Sequence, residues 1–203
     1  MHEAGYLYCD LKLNNVVIGK PAELAQPRDI HYKCRLIDFG LARKYMDKNG
    51  KHVPNTTQRV FRGNVVFASR NLFNLETPSR RDDLISLCYL LLYLVDGDLP
   101  FISEQENPPP DRNKQEYQHR EFKRIKGIKN LLTPQLLCET QEARLMLPFL
   151  EAVFAIPFAE EPNYDSLRFT LLKGLLEINQ VPTLDYDWMS NSELRTGVIK
   201  LCR

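Results

Sequence analysis

The 203-residue chain contains no Gly-x-Gly-x-x-Gly run and no lysine in a Val-Ala-x-Lys setting. A glycine-rich phosphate cover is therefore excluded from these residues. Cysteine is sparse and scattered: Cys9, Cys34, Cys88, Cys138 and Cys202 form no Cys-x-x-Cys pair. That spacing excludes the common zinc sites. An odd, dispersed set reads as the reduced thiols of an intracellular protein, cytoplasmic or nuclear. Four of the five have apolar or backbone-packed neighbours and are expected to be small core residues. Long apolar runs are missing too. The longest, Leu84 to Val95, is too short for a bilayer and carries Ser86 and Cys88. Met1 to Gly5 has no apolar core, so no signal peptide is expected. Charge of one sign is also lacking: the formal net charge is +1, with 26% charged and 43% hydrophobic residues. Neither nucleic acid nor membrane is implied as a partner. Repeats and low-complexity tracts are absent, and the length suits one sizeable core.

Against these absences stands Tyr8-Cys9-Asp10-Leu11-Lys12-Leu13-Asn14-Asn15, followed by Ile37-Asp38-Phe39-Gly40. The first resembles a protein-kinase catalytic loop and the second its metal-holding triplet. Phosphoryl transfer asks a protein mainly for positioning and charge neutralisation. Asp10 is the candidate to orient a hydroxyl and accept its proton. Lys12 would neutralise charge on the transferred group. Asn15 and Asp38 would hold Mg²⁺, with Gly40 freeing the turn after Asp38. Two short strands, 15–18 and 35–38, would bring amide and carboxylate together. Their Val17 and Ile37 are expected to join Asn15 and Asp38 on the nucleotide side, so the cofactors expected are ATP and Mg²⁺.

The rest of the chain reads in two textures. Residues 6–40 look like strands and turns, and 80–178 look helical, so the fold class is mainly α (α+β overall). Between them, 43–75 reads as a long ordered loop. Arg80-Arg81-Asp82-Asp83 opens a helix to about Val95. It is apolar nearly all round, as a central buried helix would be, and is ended by Gly97 and Pro100. After the Pro-rich 107–111, a polar helix is expected from Arg112 to Lys129. Its lysines and arginines read as a solvated face balanced by Glu116 and Glu121, with an anion-binding surface as the sharper alternative. Two further helices are expected over about 140–155 and 163–178. The second carries a core stripe of Tyr164, Leu167, Leu171, Leu172, Leu175 and Leu176.

Subfamily motifs run nearly the length of the chain: Ser79-Arg80-Arg81-Asp82-Asp83-Leu84, Gly97-Asp98-Leu99-Pro100-Phe101, Ala68-Ser69-Arg70-Asn71, Pro162-Asn163-Tyr164-Asp165-Ser166-Leu167-Arg168 and Tyr186-Asp187-Trp188. Together they resemble the C-terminal lobe of casein kinase 1-type serine/threonine kinases. The resemblance implies such a lobe over 1–188, with catalytic loop 8–15, activation segment 38–71 and a short extension 189–203. It implies ATP-dependent phosphorylation of serine or threonine on protein substrates; oligomeric state is not readable. Asp83 is expected to brace the catalytic loop through its backbone N–H groups. The departures are specific. Cys9 stands where the family has an arginine that links the catalytic loop to the activation segment, so control by loop phosphorylation is not expected; vaccinia-related kinases also lack that arginine, which is compatible with activity. Asn64 replaces a threonine whose hydroxyl contacts the catalytic aspartate. Val66 replaces an arginine of the site for pre-phosphorylated substrates, and Cys88 a helix glycine. Only nine residues precede Asp10, so the expectation is a fragment or mis-started reading of a full kinase. The alternative is a non-catalytic binding module or pseudokinase.

Overall fold

The computed structural model describes residues 1–18, 34–102 and 114–182. The Pro-rich 107–111, the Arg112 helix start, Cys202, Trp188 and the expected boundary at 188 lie outside the described residues. A 3₁₀ turn at His2–Ala4 leads into β1 (Tyr6–Leu7). A second 3₁₀ turn, Leu13–Asn15, precedes β2 (Val16–Ile18). β3 (Cys34–Leu36) runs antiparallel to β2 with Val16 opposite Leu36 and Val17 opposite Arg35. β4 (Arg43–Lys44) pairs antiparallel with β1, Tyr6 opposite Lys44. The remainder is helical: α1 (Arg70–Phe73), α2 (Arg80–Asp96), α3 (Lys114–Leu131), α4 (Pro134–Leu137), α5 (Gln141–Arg144), α6 (Leu147–Phe154) and α7 (Tyr164–Glu177).

α2 starts where its sequence signals it. The Asp82 carboxylate accepts the Ser79 N–H at 2.8 Å, completing a capping box. Gly97 ends it at φ 74°, its N–H on the Tyr93 carbonyl at 2.9 Å. Leu84, Ile85, Cys88, Tyr89, Leu90 and Leu92 are buried among α5, α6 and the α1 region. The expectation of burial on every face fails in the last turn, where Leu94 and Val95 are exposed.

Three further expectations need correction. The single helix over 140–155 is two, α5 and α6, because Pro148 in the first turn of α6 has no N–H to continue an earlier helix. The α7 stripe is only half core: Leu167 is buried and Leu171 partly so, whereas Leu172, Leu175 and Leu176 are exposed. The reason lies at Gly174, where a Cβ would sit 2.5 Å from the Leu145 carbonyl oxygen. α7 therefore turns its glycine, not its leucines, to the α5 end. Finally, Cys34 is exposed on its strand, while Cys88 and Cys138 are buried as expected.

Candidate active site

The segment before β2 is folded back by its own polar groups. Asp10 is 7% exposed, and its carboxylate accepts the Lys12 ammonium at 2.7 Å and the Asn15 amide at 2.9 Å. Asn15 also donates to the Asp10 carbonyl at 3.0 Å. A carboxylate, a cation and an amide are thus brought together within six residues of chain. Asn15 adds its carbonyl to the ladder by accepting the Ile37 N–H at 3.0 Å, which ties the loop to the chain entering Asp38.

Asp83, in the first turn of α2, supports this loop from beneath. It accepts the Tyr8 N–H at 2.7 Å, the Cys9 N–H at 2.8 Å and His2 Nε2 at 2.9 Å. His2 Nδ1 reaches the Tyr164 hydroxyl at 2.6 Å. Loop, α2 and α7 are therefore joined through one carboxylate and one imidazole. Burial pushes the Tyr164 hydroxyl up to about 12. Cys9 adopts φ 63°, a left-handed conformation that costs a non-glycine residue energy unless its surroundings impose it. Here the two N–H bonds to Asp83 impose it. The Cys9 thiol is pushed well up by burial and by Asp83, so it is no nucleophile.

Tyr8 fills the space between the loop and Asp38-Phe39-Gly40. Its hydroxyl donates to the Ile37 carbonyl, and its ring meets Phe39 edge-on at 5.7 Å. Burial raises its pKa; an Asn15 hydrogen bond pulls it back, and the carboxylates of Asp10, Asp38 and Asp83 add to the rise. Asp38 itself is exposed at φ 60°, and its Oδ1 accepts the Gly40 N–H at 3.1 Å. Val17 is half-buried, while Ile37 is 42% and Phe39 53% exposed, which leaves an open apolar rim beside Asp38.

Of the sequence-predicted site residues, Asp10, Lys12 and Asn15 are in direct contact. Asp38, Ile37 and Val17 are attached to them through the β2–β3 ladder. One carboxylate and one amide oxygen suit Mg²⁺, which keeps waters and phosphate oxygens as its other ligands. Among the described residues no group of three or more His, Cys, Asp or Glu forms a preformed metal cage. Asn64 does not take over the threonine's contact. Its Oδ1 accepts Val66 N–H at 2.9 Å and Phe67 N–H at 3.0 Å, capping its own turn. Sequence reasoning missed Tyr8 and His2, which carry no local signal beyond adjacency to the loop.

The protein kinase domain profile matches residues 1–175. Casein kinase I homolog 2 of Saccharomyces cerevisiae is 31% identical over 191 residues, 93% of this chain and 32% of that protein. Casein kinase 1-like protein HD16 of Oryza sativa subsp. japonica is 36% identical over 180 residues, 87% of this chain and 23% of that protein. B1 kinase of Monkeypox virus is 30% identical over 182 residues, 87% of this chain and 54% of that protein. The chain thus spans well under two thirds of the length of the curated relatives it matches. The helical lobe, the loop geometry and the profile agree: the chain belongs to the protein kinase domain family, and its motifs are those of the casein kinase 1 type.

Proposed function

We propose that this lobe supplies the catalytic loop and metal-holding side of an ATP- and Mg²⁺-dependent kinase acting on serine or threonine of protein substrates, inside the cell. The observation that carries the reading is the Asp10–Lys12–Asn15 cluster braced by Asp83. Asp10 is placed to take a hydroxyl proton, since the Asp83 carboxylate is engaged by the loop's N–H groups, and Lys12 sets a positive charge 2.7 Å from it. Asn15 and Asp38 would hold the metal, which supplies charge neutralisation on the phosphates when bound. Val17, Ile37 and Phe39 would give the adenine side of the nucleotide an apolar surface. Substrate identity is expected to depend on the turn after Gly63, since Val66 lacks the positive charge that would favour primed substrates.

Asp38→Asn tests this reading cleanly. Asparagine tolerates the left-handed conformation of residue 38, so the fold is preserved while the carboxylate is lost. The variant, made with any in-frame coding sequence upstream of Met1, is expected to melt with the parent and to lose MgATP-dependent peptide phosphorylation. Activity retained within about tenfold, some 1.4 kcal/mol of barrier, would overturn the assignment.

A further inference from the structure

The strongest unassigned feature is Lys129 in α3. A sequence reading puts it on a solvated face, yet its exposure is 0%. Its ammonium donates to the carbonyls of Val66 and Ala68, each at 2.6 Å, and lies 3.4 Å from that of Val65. Around it stand the rings of Phe101, Tyr89 and Phe73, with centroids at 4.3, 4.5 and 5.0 Å. Among the described residues no carboxylate pairs with it. A lysine used only to fill space would be outdone by an apolar residue of the same volume, because burying a charge is costly. Burial does push its pKa well down. What the charge gains is therefore specific: three backbone carbonyls and three ring faces, all complementary to a cation.

Those carbonyls belong to a turn with one evident neighbour. Gly63, at φ 132°, packs so that a Cβ would lie 3.3 Å from the Cys9 carbonyl oxygen, immediately before Asp10. Asn64 caps the turn, and the Ala68 N–H closes on the Asn64 carbonyl at 2.9 Å. We propose that Lys129 is a positioning residue: its ammonium, seated in the Phe73–Tyr89–Phe101 box, pins the turn 63–68 beside Asp10 and so sets the surface on which a substrate segment is presented. The inference rests on the kinase reading above for what the turn presents.

The test uses the 203-residue chain and hydrogen exchange read by mass spectrometry. Lys129→Ala should accelerate exchange across 60–69 by at least about tenfold, the loss expected for charge-assisted bonds, and leave α6 unchanged. n-Propylammonium replaces the atoms removed and should restore protection; 1-propanol should not. If Lys129→Ala does not fold, Lys129→Met keeps the volume and should show the same selective exchange. Uniform acceleration over the chain, no acceleration, or equal rescue by the alcohol overturns the proposal. In the active enzyme the peptide KM should rise about tenfold with the ATP KM little changed, and the reverse pattern also overturns it. If no phosphotransfer is found even with upstream coding sequence added, the kinase reading fails, while the exchange pattern still decides what Lys129 holds.

Discussion

At the scale of single residues, the buried polar groups separate those with partners from those without. Tyr89 is fully buried with a hydroxyl that has no hydrogen-bond partner among the described residues. Its ring contributes a face to Lys129, a task phenylalanine performs almost as well. Tyr89→Phe is therefore expected to leave stability unchanged or raise it by about 1 kcal/mol, since an unsatisfied buried hydroxyl costs roughly that much or more. A drop in melting temperature would mean the hydroxyl has a partner. Cys138, 3% exposed between α4 and α5, makes a pH prediction. Burial, with Asp96 and Glu151 nearby, moves its thiol from near 9 to about 11. The unfolded chain then loses this proton before the folded one does. Its contribution is intact below pH 9 and is lost as pH rises to about 11, about 2–3 kcal/mol for that interval. Lys129, whose pKa is lowered, acts in the opposite sense, so the comparison must be made against a variant. Under reducing conditions Cys138→Ala should lose less stability than the parent from pH 8.5 to 11; parallel curves would refute the assignment.

At the scale of elements, two glycines in helices make opposite predictions from one principle. Gly174 in α7 meets the α5 end so closely that an added methyl would strike the Leu145 carbonyl. Backbone on that side cannot yield cheaply. Gly174→Ala should destabilise the lobe by about 1–3 kcal/mol despite alanine's better helix propensity. Gly127 in α3 has open space around its would-be Cβ, and Gly127→Ala should stabilise by up to about 1 kcal/mol. Thermal melts of the two variants, side by side, check both; a stabilised Gly174→Ala would show that α7 is not seated on α5. The comparison also explains why the α7 leucine stripe misled. Periodicity locates an amphipathic helix, but the contact side was chosen by a glycine that hydropathy scores hardly register.

At the scale of the whole molecule, the 203 residues hold the Asp10–Lys12–Asn15 cluster and Asp38, the groups proposed to act as base, cation and metal ligands, but no glycine-rich cover for the nucleotide. Positioning supplies most of the acceleration in phosphoryl transfer, so these residues alone should turn over far below the range of about 1–100 per second usual for kinases. Calorimetry with MgATP and a phosphotransfer assay on acidic peptides would check this. Turnover within that range would show that the lobe covers its own nucleotide. A folded, ATP-blind lobe that gains activity only with added upstream sequence would agree with the argument.

Much of the candidate site's geometry was legible because its contacts are local in the chain. Asp10, Lys12 and Asn15 lie within six residues, and hydrogen bonds between near neighbours follow from spacing. The capping box at Ser79 and the Gly97 stop bounded α2 for the same reason. Sequence alone also carried the family, through motifs distributed over the chain. Only tertiary structure decided the rest. Whether Lys129 faced water or three rings depended on contacts 61 to 64 residues away in the chain. The His2–Asp83–Tyr164 connection spans still greater separations. A local pattern records which groups want burial or pairing; which partner each one meets is set by packing among distant segments, where one glycine or one backbone carbonyl outweighs the average polarity of a helix.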